Sequence, residues 1–181
     1  MPLMNAARSV LVLVDYQQRL LPAIHDGAAV LAHAVRLADL ALVLGVPVLG
    51  TEQYPQGLGP NDEAIRSRCA VTLSKTHFDA CADGLLDALP PDADGLPRDV
   101  VVAGCEAHVC LLQTTMGLLA AGRTVWVVAE ACGSRVADHQ VLAMQRLQQA
   151  GAHLVSVEMV GFEWLRGRNH PQFKDVLALL K

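Results

Sequence analysis

Apolar residues along the chain fall into six short runs, and these runs are mostly continuous rather than alternating with polar residues. They are SVLVLV (9–14), VPVLG (46–50), AVTLS (70–74), DVVVA (99–103), TVWVV (124–128) and AHLVSV (152–157). Continuous runs rich in β-branched residues are typical of strands that are buried on both faces of a sheet. The pattern therefore predicts six buried strands.

Longer segments with helical spacing lie between several of these runs, and they end at a glycine. Segment 26–45 ends at Gly45, segment 110–122 at Gly122 and segment 138–151 at Gly151. The broad apolar face predicted for the first helix contains Val30, Leu31, Val35, Leu37 and Leu42, and the core positions predicted for the third are Met144 and Leu147. Alternation of strands and helices predicts a single α/β domain over residues 1–181, with a parallel sheet between two helical layers. Residues 90–98, PPDADGLPR, are predicted to form a surface loop.

Composition narrows the class of protein. The chain has 181 residues, of which 52% are hydrophobic, so it can bury a core without disulfides or metals. A net charge of −4 and the lack of a Lys/Arg stripe argue against binding nucleic acid. No apolar stretch approaches the roughly 18 residues of a membrane span, and residues 9–14 are too short for a secretory leader. Five cysteines without a C-x-x-C pair indicate a reducing compartment, so we expect a cytoplasmic protein.

Reactive side chains follow several of the predicted strands. Ligands of open α/β sheets bind outside the carboxyl ends of the strands, so these positions are candidates for a site. The residues that follow the first four runs are Asp15, Glu52, Gln53, Lys75, Glu106 and Cys110. A carboxylate, an ammonium and a thiol are therefore expected at one edge of the sheet.

Each of the three has an unreactive alternative. Asp15 could cap the segment starting YQQRLL, Lys75 could be a solvated loop lysine, and Cys110 could be a small buried hydrophobe. Cys110 stands near the predicted start of helix 110–122, where free N–H groups and the helix dipole should lower its pKa and could hold an oxyanion. His108 is a rival base for Cys110, although residues two apart do not face each other on a regular helix.

Sequence spacing supports neither a metal site nor a cofactor site. The seven histidines show no H-x-x-x-H or D-x-H pattern, so no metal is expected. The GLG of EQYPQGLGP lacks the third glycine and following helix of a dinucleotide-binding motif, so no cofactor is expected.

Three motifs together resemble the isochorismatase-like cysteine hydrolases, and specifically the branch called isochorismatase domain-containing proteins. They are LVLVDYQ, LSKTHFDAC and VVAGCEAHVCLLQT, in that order. The resemblance implies a three-layer α/β/α sandwich whose six parallel strands have the order 3-2-1-4-5-6. It implies a catalytic triad of Asp15, Lys75 and Cys110. It also implies a cis peptide bond between Cys105 and Glu106, with the backbone N–H groups of Glu106 and Cys110 forming an oxyanion hole.

The resemblance also bears on the substrate and on assembly. TEQYP stands where zinc-dependent nicotinamidases of the superfamily carry a D-x-H motif, and Ala107 replaces a threonine that many relatives have. Cys110 favours hydrolysis of a small amide or related C–N bond over isochorismate-type vinyl-ether hydrolysis, which needs no thiol. Predicted substrate-binding residues are Gln17, Tyr54, Phe78 and His108. Relatives are dimers or larger, so we expect a homo-oligomer.

Two readings without hydrolysis remain open. The chain could be a regulatory or interaction protein with a vestigial site, in which case all five thiols should alkylate at similar rates. It could also be a redox sensor in which Cys105 forms a reversible disulfide with Cys110.

Overall fold

Six parallel strands form one sheet in the computed structural model, which describes residues 3–90 and 98–181. The strands are β1 Ser9–Val14, β2 Val48–Gln53, β3 Val71–Lys75, β4 Asp99–Gly104, β5 Val125–Val128 and β6 His153–Val155. Their order across the sheet is β3-β2-β1-β4-β5-β6, and every neighbouring pair is parallel. The predicted parallel sheet and its strand order are confirmed.

Helices cover the sheet in two groups. They are α1 Gly27–Val43, α2 Pro55–Leu58, α3 Glu63–Arg66, α4 Leu85–Ala88, α5 Leu112–Ala120, α6 Ala137–Gln149, α7 Val157–Leu165 and α8 Phe173–Leu180. Helix α1 packs against α3, α7 and α8, while α5 packs against α6. Short 3₁₀ turns span Ala6–Arg8, Leu21–Ala23, Ala80–Asp83 and Ala129–Ala131, and a π-helical turn spans Ala107–Leu111. The predicted α/β/α sandwich is confirmed.

The buried surfaces agree with the predicted pattern on β1, β2, β4 and β5, but not on α1 or on the strands β3 and β6, which are only partly buried because they lie at the two edges of the sheet. All six residues of β1 are buried, as strands covered on both faces should be. Met144 and Leu147 are buried on α6, as predicted. Leu42, however, is 52% exposed, because the buried face of α1 is completed by the small residues Ala34, Ala38 and Ala41. Small side chains let this helix approach the sheet closely, and a periodicity count over large residues misses them.

Two further expectations concern the surface loop at 90–98 and the lack of a membrane span. Most of the predicted surface loop at 90–98 lies outside the described residues, because residues 91–97 are not among them. Within residues 3–90 and 98–181, no helix is long and apolar enough to cross a bilayer.

Strand register aligns the carboxyl ends of the central strands. Val14 pairs with Thr51 of β2 and with Gly104 of β4, and Gln53 pairs with Lys75 of β3. Side chains that follow Val14 and Gly104, and those at the ends of β2 and β3, therefore meet at one edge of the sheet.

Candidate active site

A buried ion pair joins the ends of β1 and β3. The carboxylate oxygen Oδ2 of Asp15 lies 2.7 Å from Nζ of Lys75, and both side chains are 0% exposed. The other carboxylate oxygen of Asp15 accepts a 2.7 Å hydrogen bond from the hydroxyl of Thr51. Asp15 turns away from the strand with a φ of 56°, a left-handed conformation that residues other than glycine rarely adopt. Asp15 is thus no helix cap, and Lys75 is no solvated lysine.

Cys110 brings its thiol to this ion pair. The cysteine lies within the π-helical turn Ala107–Leu111, which leads from β4 into α5, and it is 5% exposed. The thiol is within hydrogen-bonding reach of both Asp15 and Lys75. The three side chains that the sequence nominated are therefore together.

The predicted lowering of the Cys110 pKa is wrong. Burial, and after it the Asp15 carboxylate, raise the pKa of the thiol to about 12, and only the Lys75 ammonium opposes both. The expectation assumed an open helix end, whereas the thiol lies inside the π turn and has lost most of its contact with water. Desolvation penalises the thiolate more than the turn's dipole favours it. The thiol is therefore protonated at rest.

The segment before Cys110 is fastened to residues 133–135. The peptide bond between Cys105 and Glu106 is cis, as the resemblance implies. Ala107 N–H donates to the carbonyl of Gly133 at 2.7 Å, and the Glu106 carboxylate accepts from the backbone N–H and Nε of Arg135. Among the described residues, no acceptor takes a hydrogen bond from the Glu106 N–H. That donor is therefore available to an oxygen atom placed beside the turn.

Gln53, at the end of β2, is a site residue that the sequence analysis noted only by position. Its Oε1 accepts a 2.7 Å hydrogen bond from Lys75 Nζ and lies 4.0 Å from the Cys110 sulfur. The only signal in the sequence was its place at a predicted strand end, because an uncharged amide carries no reactive chemistry of its own.

Comparison with known proteins identifies the family. A family model described as Isochorismatase domain matches residues 9–159. This chain belongs to the isochorismatase domain family. Isochorismatase domain-containing protein 2 of Homo sapiens is 37% identical over 96% of this chain and 83% of its own length. Isochorismatase domain-containing protein 2A of Mus musculus is 35% identical over 96% of this chain and 82% of its own.

Solved structures with the isochorismatase fold superpose on nearly the whole chain. MAR1 ribonuclease of Caenorhabditis elegans is 34% identical with a TM-score of 0.90, covering 98% of this chain and 91% of its own. YcaC of Escherichia coli, described as an octameric hydrolase of unknown specificity, has a TM-score of 0.84 at 22% identity, covering 98% and 87%. At that identity the second likeness shows the fold alone. The family and its fold place this isochorismatase domain among the isochorismatase-like hydrolases.

The four predicted substrate-binding residues of this isochorismatase domain have different environments. Tyr54 and Phe78 are 57% and 49% exposed, and the backbone of each contacts Lys75: Tyr54 N–H donates to the carbonyl of Lys75, and the Phe78 carbonyl is 3.4 Å from Lys75 Nζ. Gln17 is fully buried, and its amide bonds to the backbone of Gln53 and Gly59. Those contacts favour a structural role for Gln17 over contact with a substrate.

His108 points towards α6 rather than serving the thiol as a base. Its Nδ1 lies 2.9 Å from the Ser134 hydroxyl, and its ring packs at a tilt against that of His139 with centroids 4.7 Å apart. Burial is the main cause that lowers the pKa of His108. The ring therefore belongs to a small groove lined with Leu112, Leu142 and Arg146, and nothing in its contacts supports the rival Cys–His pairing.

Cys105 is not arranged as a resolving thiol for Cys110. It is completely buried, and burial raises the pKa of its thiol well above the ordinary range. The thiol that acts on it electrostatically is that of Cys132. All five cysteines are free. No cluster of three or more His, Cys, Asp or Glu side chains suited to a metal ion occurs within residues 3–90 and 98–181.

Proposed function

We propose that this protein is a cysteine hydrolase that cleaves a small amide or a related C–N bond. The observation that carries the proposal is the Cys110 thiol lying against a fully buried Asp15–Lys75 ion pair. A thiol alone in such a place would be inert. A carboxylate that can accept its proton and an ammonium that can stabilise the resulting thiolate supply what nucleophilic catalysis requires.

In the acylation half of the reaction, Asp15 takes the thiol proton while the sulfur attacks the substrate's carbonyl carbon. A C–S bond forms, and the carbonyl π electrons move to the oxygen. The N–H groups of Glu106 and Cys110 donate to this oxyanion. The oxyanion then collapses, the C–N bond breaks, and the proton held by Asp15 passes to the leaving nitrogen, so the products are a thioester and a free amine or ammonia.

In the second half, water regenerates the thiol. Asp15 accepts a proton from the attacking water, the C–S bond breaks, and the carboxylic acid leaves. The departing sulfur recovers its proton from Asp15, and Lys75 stabilises the negative charge while it resides on sulfur. No net charge enters or leaves the site, and neither a metal nor a cofactor takes part in any step.

The burial of the site supports a small substrate. Asp15, Lys75 and Cys110 are 0%, 2% and 5% exposed, so only a compact group can reach the sulfur. We assign the rim of the entrance to Tyr54 and Phe78, the exposed aromatic residues next to Lys75.

The test is a screen of small amides for ammonia or amine release, with Cys110→Ala and Cys69→Ala run in parallel. Cys69 is also a partly buried thiol, bonded to the Ile65 carbonyl and far in sequence from the turn. We expect Cys110→Ala to lower turnover at least about a thousandfold and Cys69→Ala to leave it unchanged. Amide turnover that survives in Cys110→Ala would remove the thiol from the mechanism. No turnover, together with equal alkylation of all five thiols, would favour the regulatory protein.

We also propose that the chain forms a homo-oligomer in a reducing compartment such as the cytoplasm. Leu3, Met159 and Phe162, which are 57%, 47% and 42% exposed, line one surface groove and support self-association. Five free thiols fit a reducing environment. Light scattering coupled to size exclusion should give a mass at least twice that of the 19.3 kDa chain, and a monomer at micromolar concentration would contradict this.

A further inference from the structure

The amide of Gln53 contacts both the ammonium and the thiol of the candidate site. Its Oε1 accepts a 2.7 Å hydrogen bond from Lys75 Nζ, and the same oxygen lies 4.0 Å from Cys110 Sγ. Among the residues that the structure describes, Gln53 thus lies outside the triad and contacts two of its members, Lys75 and Cys110.

Both ends of Gln53 are fixed. Its Nε2 donates a 2.8 Å hydrogen bond to the carbonyl of Thr76. Its backbone N–H donates to Oε1 of Gln17 at 2.8 Å, and its backbone carbonyl accepts from Nε2 of Gln17 at 3.0 Å. Rotating the amide by half a turn would set its oxygen against the Thr76 carbonyl and its NH₂ against the Lys75 ammonium. Oε1 can therefore face only the ammonium.

The Gln53 oxygen fixes the direction of the hydrogen bonds that the Lys75 ammonium donates. An ammonium has three donors, and here two of them are taken at 2.7 Å, by Asp15 and by Gln53. The remaining acceptors, the carbonyls of His77 and Phe78, are 3.4 Å away. Without Gln53, the flexible lysine would turn towards these carbonyls and away from the sulfur.

The position also requires a neutral acceptor. Asp15 and Lys75 balance each other, so the thiolate is stabilised by the ammonium without competition from a second anion. A carboxylate in place of the amide would put another negative charge beside the sulfur and oppose its ionisation. The neighbouring carboxylates are directed elsewhere: Glu52 accepts from the backbone of Asn61, and Asp83 binds the turn at His77.

We propose that Gln53 is a positioning residue that holds the Lys75 ammonium against the sulfur, and that it must be uncharged to do so. The inference rests on the proposed function in one respect, the use of the Cys110 thiolate as nucleophile. It adds that ionisation of the Cys110 thiol depends on a neutral glutamine at the end of β2. An acidic residue there would make the thiol unreactive.

The experiment measures the rate at which iodoacetamide alkylates Cys110, by peptide mass spectrometry, in the wild type, Gln53→Glu, Gln53→Met and Gln56→Glu. Gln56 is exposed on α2, three residues after Gln53, so Gln56→Glu adds the same charge nearby without a described contact to Lys75. We expect Gln53→Glu to slow alkylation at neutral pH at least about tenfold, the effect of one unit of thiol pKa, and Gln56→Glu to stay within twofold.

The pH profile separates positioning from simple support of the fold. The introduced carboxylate lies beside the Lys75 ammonium and should lose its charge only as pH falls towards about 4, so the ratio of wild-type to Gln53→Glu rates should narrow as pH is lowered from about 7 to about 4. Gln53→Met introduces no titrating group, so its alkylation should be several-fold slower by a ratio that does not change with pH. A flat ratio for Gln53→Glu, or a rate within twofold of wild type in the folded variant, would overturn the proposal.

Failure here is distinguishable from failure of the proposed function. Alkylation needs no substrate, so the Gln53 result stands whatever the amide screen finds. Conversely, amide turnover that requires Cys110 but is indifferent to Gln53→Glu would leave the hydrolase intact and reject only the role of Gln53.

Discussion

Removing the positive end of the buried ion pair should destabilise the protein strongly. In Lys75→Met, the Asp15 carboxylate keeps its hydrogen bond from Thr51 but remains 0% exposed with no cation beside it. Breaking a buried pair by removing one partner typically costs about 3–5 kcal/mol. An ordinary domain has a free energy of unfolding of about 5–15 kcal/mol, so this single change should remove a large fraction of it.

The double variant Asp15→Asn/Lys75→Met should recover much of that loss. With both charges gone, no ion is left in the interior, and an asparagine at position 15 can still accept from Thr51. Asp15→Asn alone leaves an ammonium that retains the Gln53 carbonyl and can lose its proton, so it should cost less than Lys75→Met. We therefore expect a coupling free energy of about 2 kcal/mol or more between the two substitutions.

Guanidinium unfolding followed by tryptophan fluorescence measures these quantities, because Trp126 and Trp164 are only 6% and 3% exposed. The surface pair of Glu63 and Arg66, 3.0 Å apart with side chains 69% and 55% exposed, supplies a control cycle that should give a coupling below about 1 kcal/mol. If the Asp15 and Lys75 losses simply add, to within about 0.5 kcal/mol, then the pair is not energetically coupled and our reasoning about it is wrong.

Two further substitutions test the surroundings of the site. The His77 imidazole and two backbone N–H groups lower the pKa of Asp83 to about 2. This stabilisation is present above the unfolded pKa of about 4 and is lost as pH falls towards 2, so Asp83→Asn should flatten acid unfolding in that window, measured by circular dichroism; an unchanged curve would refute it. Gly104→Ala would drive a Cβ into the Val14 carbonyl, so it should lower the melting temperature by several degrees. Gly167→Ala, with nothing within 4 Å of the added Cβ, should not, and equal melting temperatures for the two variants would count against the clash.

The sheet could be predicted because its physical signal is local. A strand covered on both faces must be apolar throughout, so β1 and β4 read directly as SVLVLV and DVVVA. The end of α1 was likewise marked by Gly45, whose φ of 69° favours glycine. The exposure of Leu42 could not be predicted in the same way, because the contact surface of α1 is made by alanines whose burial depends on how the helix docks.

The candidate site was predictable only in part. Strand ends and chemistry nominated Asp15, Lys75 and Cys110, and the fold brings them together. Gln53 was named only as a strand-end residue, because its hydrogen bond to Lys75 depends on the register of β2 against β3. The same limitation applies to Gln17, whose amide bonds to the backbone of Gln53 and Gly59. Its contact with a substrate stays a prediction.

The error in the Cys110 pKa has a different origin, and it clarifies how a buried thiol can still react. Titration against solvent creates a new buried charge, so desolvation raises the pKa. Transfer of the proton from sulfur to Asp15 creates none: one negative charge moves between neighbouring groups, and the Lys75 ammonium stays beside both. The cost of desolvation is almost the same for the thiol beside the Asp15 carboxylate as for the thiolate beside protonated Asp15, so it largely cancels. A thiol that is protonated at rest is thus compatible with a nucleophile in the proposed mechanism, provided that the base is buried with it and that no second anion intrudes.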